Sequence, residues 1–147
     1  MMAPHSVSLG ALLADSAQVS PTLASRMVEA VTSDSRVAGR GAAFFALPGV
    51  KLDGSAFGAQ ALQRGAVVVV SEKAAPEGVA DWIVVPNVRL ALAKAAARMH
   101  PGQPATVAAV TGTSGKTSVA AFLRQIWLDD RKKAASLGTL GVVAPSG

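Results

Sequence analysis

Three short runs, residues 66–70 (AVVVV), 82–85 (WIVV) and 106–110 (TVAAV), are almost wholly apolar and rich in β-branched side chains. Hydrophobicity that is continuous rather than alternating predicts strands covered on both faces, as in a parallel sheet. Helix-patterned stretches lie between them. Residues 56–64 end at Gly65, suited to a C′ position; residues 88–99 follow Asn87, a suitable N-cap, and stop before Pro101-Gly102. A further strand is expected over residues 42–47, closed by Pro48-Gly49, with Asp53-Gly54 as another turn signal. Strand and helix alternate, so the expected fold class is α/β.

Half of the 147 residues are hydrophobic and 16% are charged, which supplies a buried core and argues against disorder. The 14 Lys and Arg against 9 Asp and Glu leave a formal charge of +5. These basic residues are scattered and aromatics make up only 4%, poor material for stacking bases, so no nucleic-acid partner is expected. The absence of cysteine excludes disulfide scaffolds, thiolate metal sites and cysteine nucleophiles. Residues 1–18 lack a basic n-region and an adequate apolar core, and no apolar run approaches the roughly 20 residues of a membrane span. A soluble, cytoplasmic protein without a membrane partner is expected.

Residues 100–104 (HPGQP) place two prolines and a glycine between a long helical pattern and a fresh apolar strand, which marks a boundary between residues 1–103 and 104–147. The second part holds the strand at 106–110, a loop, a helix over 117–130, a short strand near 134–137 and a Gly-rich end. That is too little to close a sheet, so an apolar helix face near Phe122, Leu123 and Ile126 is expected to stay exposed.

Residues 107–118 (VAAVTGTSGKTS) carry the chemistry. An apolar strand runs into a turn with two glycines, then Lys-Thr, then a helical pattern. Such a loop aims backbone N–H groups and the positive end of the helix at phosphate oxygens. Gly112 and Gly115 permit close approach, Lys116 supplies a point charge for the terminal phosphates, and the Thr117 hydroxyl is a ligand for Mg²⁺. The general pattern wants glycine at position 110, where this chain has Val110. A lone Gly-Lys-Thr is commonly just a solvated turn; strand, loop and helix in this order point to nucleotide. Elsewhere the residues are plainer. Asp34-Ser35-Arg36 reads as a turn with a local ion pair, His100 as a cap-region residue, residues 129–133 as an exposed helix end, and Trp82 and Trp127 as core.

Thr111-Gly112-Thr113-Ser114-Gly115-Lys116-Thr117 resembles the ATP-binding loop of the Mur ligases, usually TGTNGKT, with Ser114 replacing Asn. Val110 is then a family trait. A second block, Ser33-Asp34-Ser35-Arg36, Gly41, Phe44-Phe45-Ala46-Leu47-Pro48-Gly49, Asp53-Gly54, Phe57, Ala61 and Gly65-Ala66, resembles the DSR…G…F.A..G…DG..F…A…GA pattern that opens their UDP-sugar-binding domain. Leu137-Gly138-Thr139-Leu140-Gly141 resembles a GTLG segment of the same family.

The resemblance implies a small N-terminal α/β UDP-substrate domain followed by the start of a P-loop-type parallel-sheet ATPase domain. It implies an ATP-dependent amide ligase of peptidoglycan synthesis. Such a ligase adds a third amino acid, meso-diaminopimelate or else lysine, to UDP-N-acetylmuramoyl-L-alanyl-D-glutamate through an acyl phosphate. ATP would be bound by Gly112, Thr113, Ser114, Gly115, Lys116, Thr117 and Ser118, with Lys116 catalytic and Thr117 on Mg²⁺. Ser33, Ser35, Val50, Lys51 and Leu52 would contact the UDP-muramoyl substrate. The intact enzyme is expected to be a monomer, and these 147 residues alone, lacking the rest of a three-domain ligase, to be inactive. A MurF-type ligase, a non-catalytic UDP-sugar or nucleotide-binding module and an unrelated P-loop NTPase stand as the alternatives.

Overall fold

A computed structural model describes residues 6–49, 53–102 and 104–145. The chain divides into two compact units, Met1–Gln103 and Pro104–Gly147. Among the described residues no helix is long and apolar enough to cross a membrane.

The first unit is built on a four-stranded parallel sheet in the order β3 (Ala30–Thr32), β4 (Ala42–Phe45), β5 (Val68–Ser71), β6 (Trp82–Val84). The apolar runs at 66–70 and 82–85 have the cause expected of them, since successive residues feed opposite faces. Ala43, Phe45, Val68, Val70 and Ile83 enter one cluster, closed by Val88, Ala91, Ala95 and Met99 of α4 (Val88–Met99). Phe44, Val69 and Trp82 enter the other, closed by Ala61 of α3 (Gly58–Gln63). Helix α4 starts where Asn87 accepts from the Leu90 N–H at 2.9 Å and Glu72 accepts from the Val88 N–H at 3.0 Å. Gly58 opens α3 because a Cβ there would stand 2.3 Å from the Trp82 ring, whose indole N–H donates to the Lys73 carbonyl at 2.9 Å.

Ahead of this sheet lies structure that the sequence pattern did not announce. Strand β1 (Val7–Ser8) pairs antiparallel with β2 (Met27–Val28), enclosing α1 (Leu9–Leu12) and α2 (Pro21–Ala24). Leu9, Leu12, Leu13 and Val28 are fully buried in the α4-side core. Arg98 of α4 ties down this layer by donating to the Leu12 carbonyl at 2.9 Å and pairing with Asp15.

The second unit consists of α5 (Lys116–Asp129) and a hairpin of β7 (Ser136–Gly138) and β8 (Gly141–Val143). Residues 106–110, expected as a buried strand, form none, and Val107 is 78% exposed. A strand inside a parallel sheet needs ladder partners, and the hairpin strands of this unit pair with each other. Helix α5 buries none of its residues, so Trp127 is half-buried rather than core. Val119, Phe122 and Ile126 form the exposed apolar row, while Leu123 is partly covered.

Candidate functional site

In the first unit the carboxyl ends of β3 and β4 open into a cleft of about 490 Å³. Its lining includes Ser33, Asp34, Ser35 and Arg36 from the loop after β3, Phe44 and Leu47 from β4 and its extension, and Phe57 and Gln60 from the α3 side. The cleft lies where open parallel sheets place their ligands. The loop is held by its own polar groups. Thr32 Oγ1 accepts from the Asp34 N–H at 3.1 Å, Asp34 accepts from the Arg36 N–H at 2.9 Å, and the Arg36 guanidinium pairs with the Asp34 carboxylate at 2.6 Å. Those bonds from Arg36, with Arg64 nearby, lower the Asp34 pKa to about 2. Arg64, at the end of α3, donates to the Ser35 carbonyl at 3.1 Å. Ser33 is exposed and Ser35 half-buried, both on the cleft wall.

Val50, Lys51 and Leu52 lie outside the described residues. Their flanks are defined: Pro48 bridges Asp53, Arg89 donates to the Pro48 carbonyl at 2.8 Å, and Lys73 pairs with Asp53 at 2.7 Å. That ammonium and the bonds from Ser55 hold the Asp53 carboxyl well below the usual carboxylate range.

In the second unit, residues 111–115 turn sharply into α5. Gly112 at φ +145° and Gly115 at φ +76° adopt backbone that side-chain-bearing residues rarely take. Gly115 is the N-cap and offers no side-chain bond to the first-turn amides of this 14-residue helix. Those amides are available to an anion, and a Cβ on Gly115 would meet nothing within 4 Å. The Lys116 ammonium folds back onto the Gly112 carbonyl and donates to the Thr113 carbonyl at 3.3 Å. Thr117 Oγ1 stands 3.3 Å from Thr139 Oγ1 in the turn between β7 and β8. Thr113 and Ser114 are exposed in this turn, and Ser118 is exposed in the first turn of α5.

This donor set fits a phosphate chain. Among the described residues no group of three or more His, Cys, Asp or Glu gathers to hold a metal. The Thr117 hydroxyl is an oxygen donor of the kind that a hard cation takes. Sequence reasoning gave no role to Arg64, Gln60 or Thr139. Only the fold brings Arg64 against residue 35 and Thr139 against residue 117.

An α/β chain with a ligand cleft at its strand ends and a phosphate-type loop on a helix is the class that these features define. Residues 27–135 match the Mur ligase family, catalytic domain, and the chain belongs to that family. The UDP-N-acetylmuramoyl-L-alanyl-D-glutamate–2,6-diaminopimelate ligase of Bradyrhizobium diazoefficiens is 52% identical over 135 residues, 91% of this chain and 28% of its own length. The ligase of the same name from Agrobacterium fabrum is 50% identical over 115 residues, 78% of this chain and 23% of its own. The chain thus spans about a quarter of the length of these relatives. A solved structure of a ligase of that name aligns with 97% of this chain at a TM-score of 0.76 and 26% identity, covering 29% of that structure. The MurF ligase of Thermotoga maritima in complex with ADP aligns with 74% of this chain at a TM-score of 0.58 and 28% identity, covering 26% of its own.

Proposed function

We propose that this chain supplies the UDP-substrate-binding unit and the phosphate loop of a MurE-type, ATP-dependent amide ligase that works in the cytoplasm. The ligase attaches 2,6-diaminopimelate to UDP-N-acetylmuramoyl-L-alanyl-D-glutamate. The observation that carries the reading is the loop over residues 111–117. Two left-handed glycines lead into an uncapped helix that begins Lys116-Thr117, in a chain about half identical to ligases of that name.

A carboxylate is a poor electrophile, so the reaction proceeds in two displacements. The substrate carboxylate attacks the γ-phosphorus of ATP, the bond to the β-phosphate oxygen breaks, and ADP leaves. The amine then attacks the acyl carbon, loses a proton and expels inorganic phosphate as the amide forms. The first-turn amides and Lys116 hold the transferring phosphoryl group and offset charge that builds in the transition state. Lys116 leaves the Gly112 and Thr113 carbonyls to do so. Mg²⁺, when bound through Thr117, neutralises phosphate charge.

In the first unit the Ser33 and Ser35 hydroxyls serve as hydrogen-bond partners of the UDP-muramoyl group, a role that the family resemblance extends to Val50, Lys51 and Leu52. The domains are divided accordingly: 1–103 binds the UDP substrate and 104–147 opens the ATP-binding domain.

Calorimetric titration tests this. The chain is expected to bind UDP and, separately, ADP, and Lys116→Ala is expected to lower ADP affinity by roughly tenfold or more while leaving UDP affinity intact. Parallel loss of both ligands, or no ADP binding by the unaltered chain, overturns the assignment.

A further inference from the structure

We infer that Arg64 is a positioning residue for the Ser35 hydroxyl, acting through the peptide that joins Ser35 to Arg36; the inference rests on the reading of the cleft as a UDP-substrate site. The Ser35 carbonyl accepts from the Arg64 guanidinium at 3.1 Å, and the Arg36 N–H donates to the Asp34 carboxylate at 2.9 Å. Carbonyl and N–H belong to one planar unit, so fixing both ends fixes the plane. With it are set ψ of Ser35 and φ of Arg36, and hence the direction in which the Ser35 side chain leaves the backbone.

The two restraints have different origins. Asp34 is local to the turn and holds the N–H end. Arg64 reaches across 29 positions of sequence from the end of α3 and holds the carbonyl end. Its own backbone is anchored, because its N–H bonds to the Gln60 and Ala61 carbonyls and Ala61 is fully buried. The core therefore registers the loop through one side chain. Arg64 also lies close enough to Asp34 to help keep that carboxylate ionised, which preserves the restraint at the other end. A methionine of similar length keeps the stem of Arg64 and loses both effects. A lysine keeps the charge and one donor but not the planar fork.

The test is a double-mutant cycle on the chain as it stands, with UDP as the probe and amide exchange as the second readout. Arg64→Met is expected to weaken UDP roughly five- to tenfold, as Ser35→Ala does, and the double variant to bind no more weakly than Ser35→Ala alone. Arg64→Lys restores part of the loss. In the free protein the Arg36 amide exchanges faster in Arg64→Met while the amides of β4 and β5 do not, which separates positioning from unfolding. Losses that multiply in the double variant, unchanged UDP affinity in Arg64→Met, or an unchanged Arg36 amide overturn the inference. Should the unaltered chain bind no UDP, the cleft reading falls, and the Arg36 amide still decides whether Arg64 holds this peptide.

Discussion

The Asp34 carboxylate is bonded by the Arg36 guanidinium and feels the charge of a second, Arg64, which favours its ionised form. Arg36 bonds its carboxylate through side chain and backbone, lowering its pKa from 3.8 to about 2. A carboxyl whose pKa is lower folded than unfolded stabilises the native state once pH is above the unfolded value, and that contribution fades as pH falls through the folded one. The turn of residues 33–36 is thus expected to be fully braced above about pH 4 and to loosen toward pH 2. Nuclear magnetic resonance of the Arg36 side-chain Nε–H against pH reads this directly; Asp34→Asn is expected to show the loosened signal at every pH. The ion pair was legible from Asp34-Ser35-Arg36 alone, because its partners are two positions apart. Arg64 was not, because nothing in a local pattern tells an arginine after a helix which carbonyl it will meet.

Among the elements, β4, β5, β6 and α4 follow from the sequence because each carries its own signal: unbroken apolar runs for the strands, Asn87 and Pro101 at the ends of the helix. Two others did not. The N-terminal layer is made of two-residue strands and four-residue helices, too short for any periodicity to emerge, yet it buries Leu9, Leu12 and Leu13. Residues 106–110 have the composition of a strand and lack a ladder, since β propensity describes a fit to neighbours more than a backbone preference. Packing between α3 and β6 gives a sharper test. Gly58→Val forces the Trp82 ring, held by its bond to Lys73, out of a space with no slack. The expected cost is about 1–3 kcal/mol, measured as a lowered urea midpoint with an unchanged m value.

For the molecule as a whole, stability is expected to be uneven. The first unit has two packed clusters on one sheet, whereas α5 buries no residue and carries Val119, Phe122 and Ile126 at 50, 62 and 61% exposure. Amide exchange is expected to be slowest in β4 and β5 and faster by orders of magnitude in α5. Equal protection in both units of a monomer would show that the second is stabilised by contacts other than those described.

Trp82 lies buried in the first unit, Trp127 half-buried on α5 in the second, and tyrosine is absent from the sequence. Ultraviolet emission from this chain therefore comes from one indole per unit, with distinct surroundings. Replacing either by phenylalanine leaves a built-in lamp on the other, so that separate melting, or a ligand felt by one half alone, becomes visible without attaching a dye.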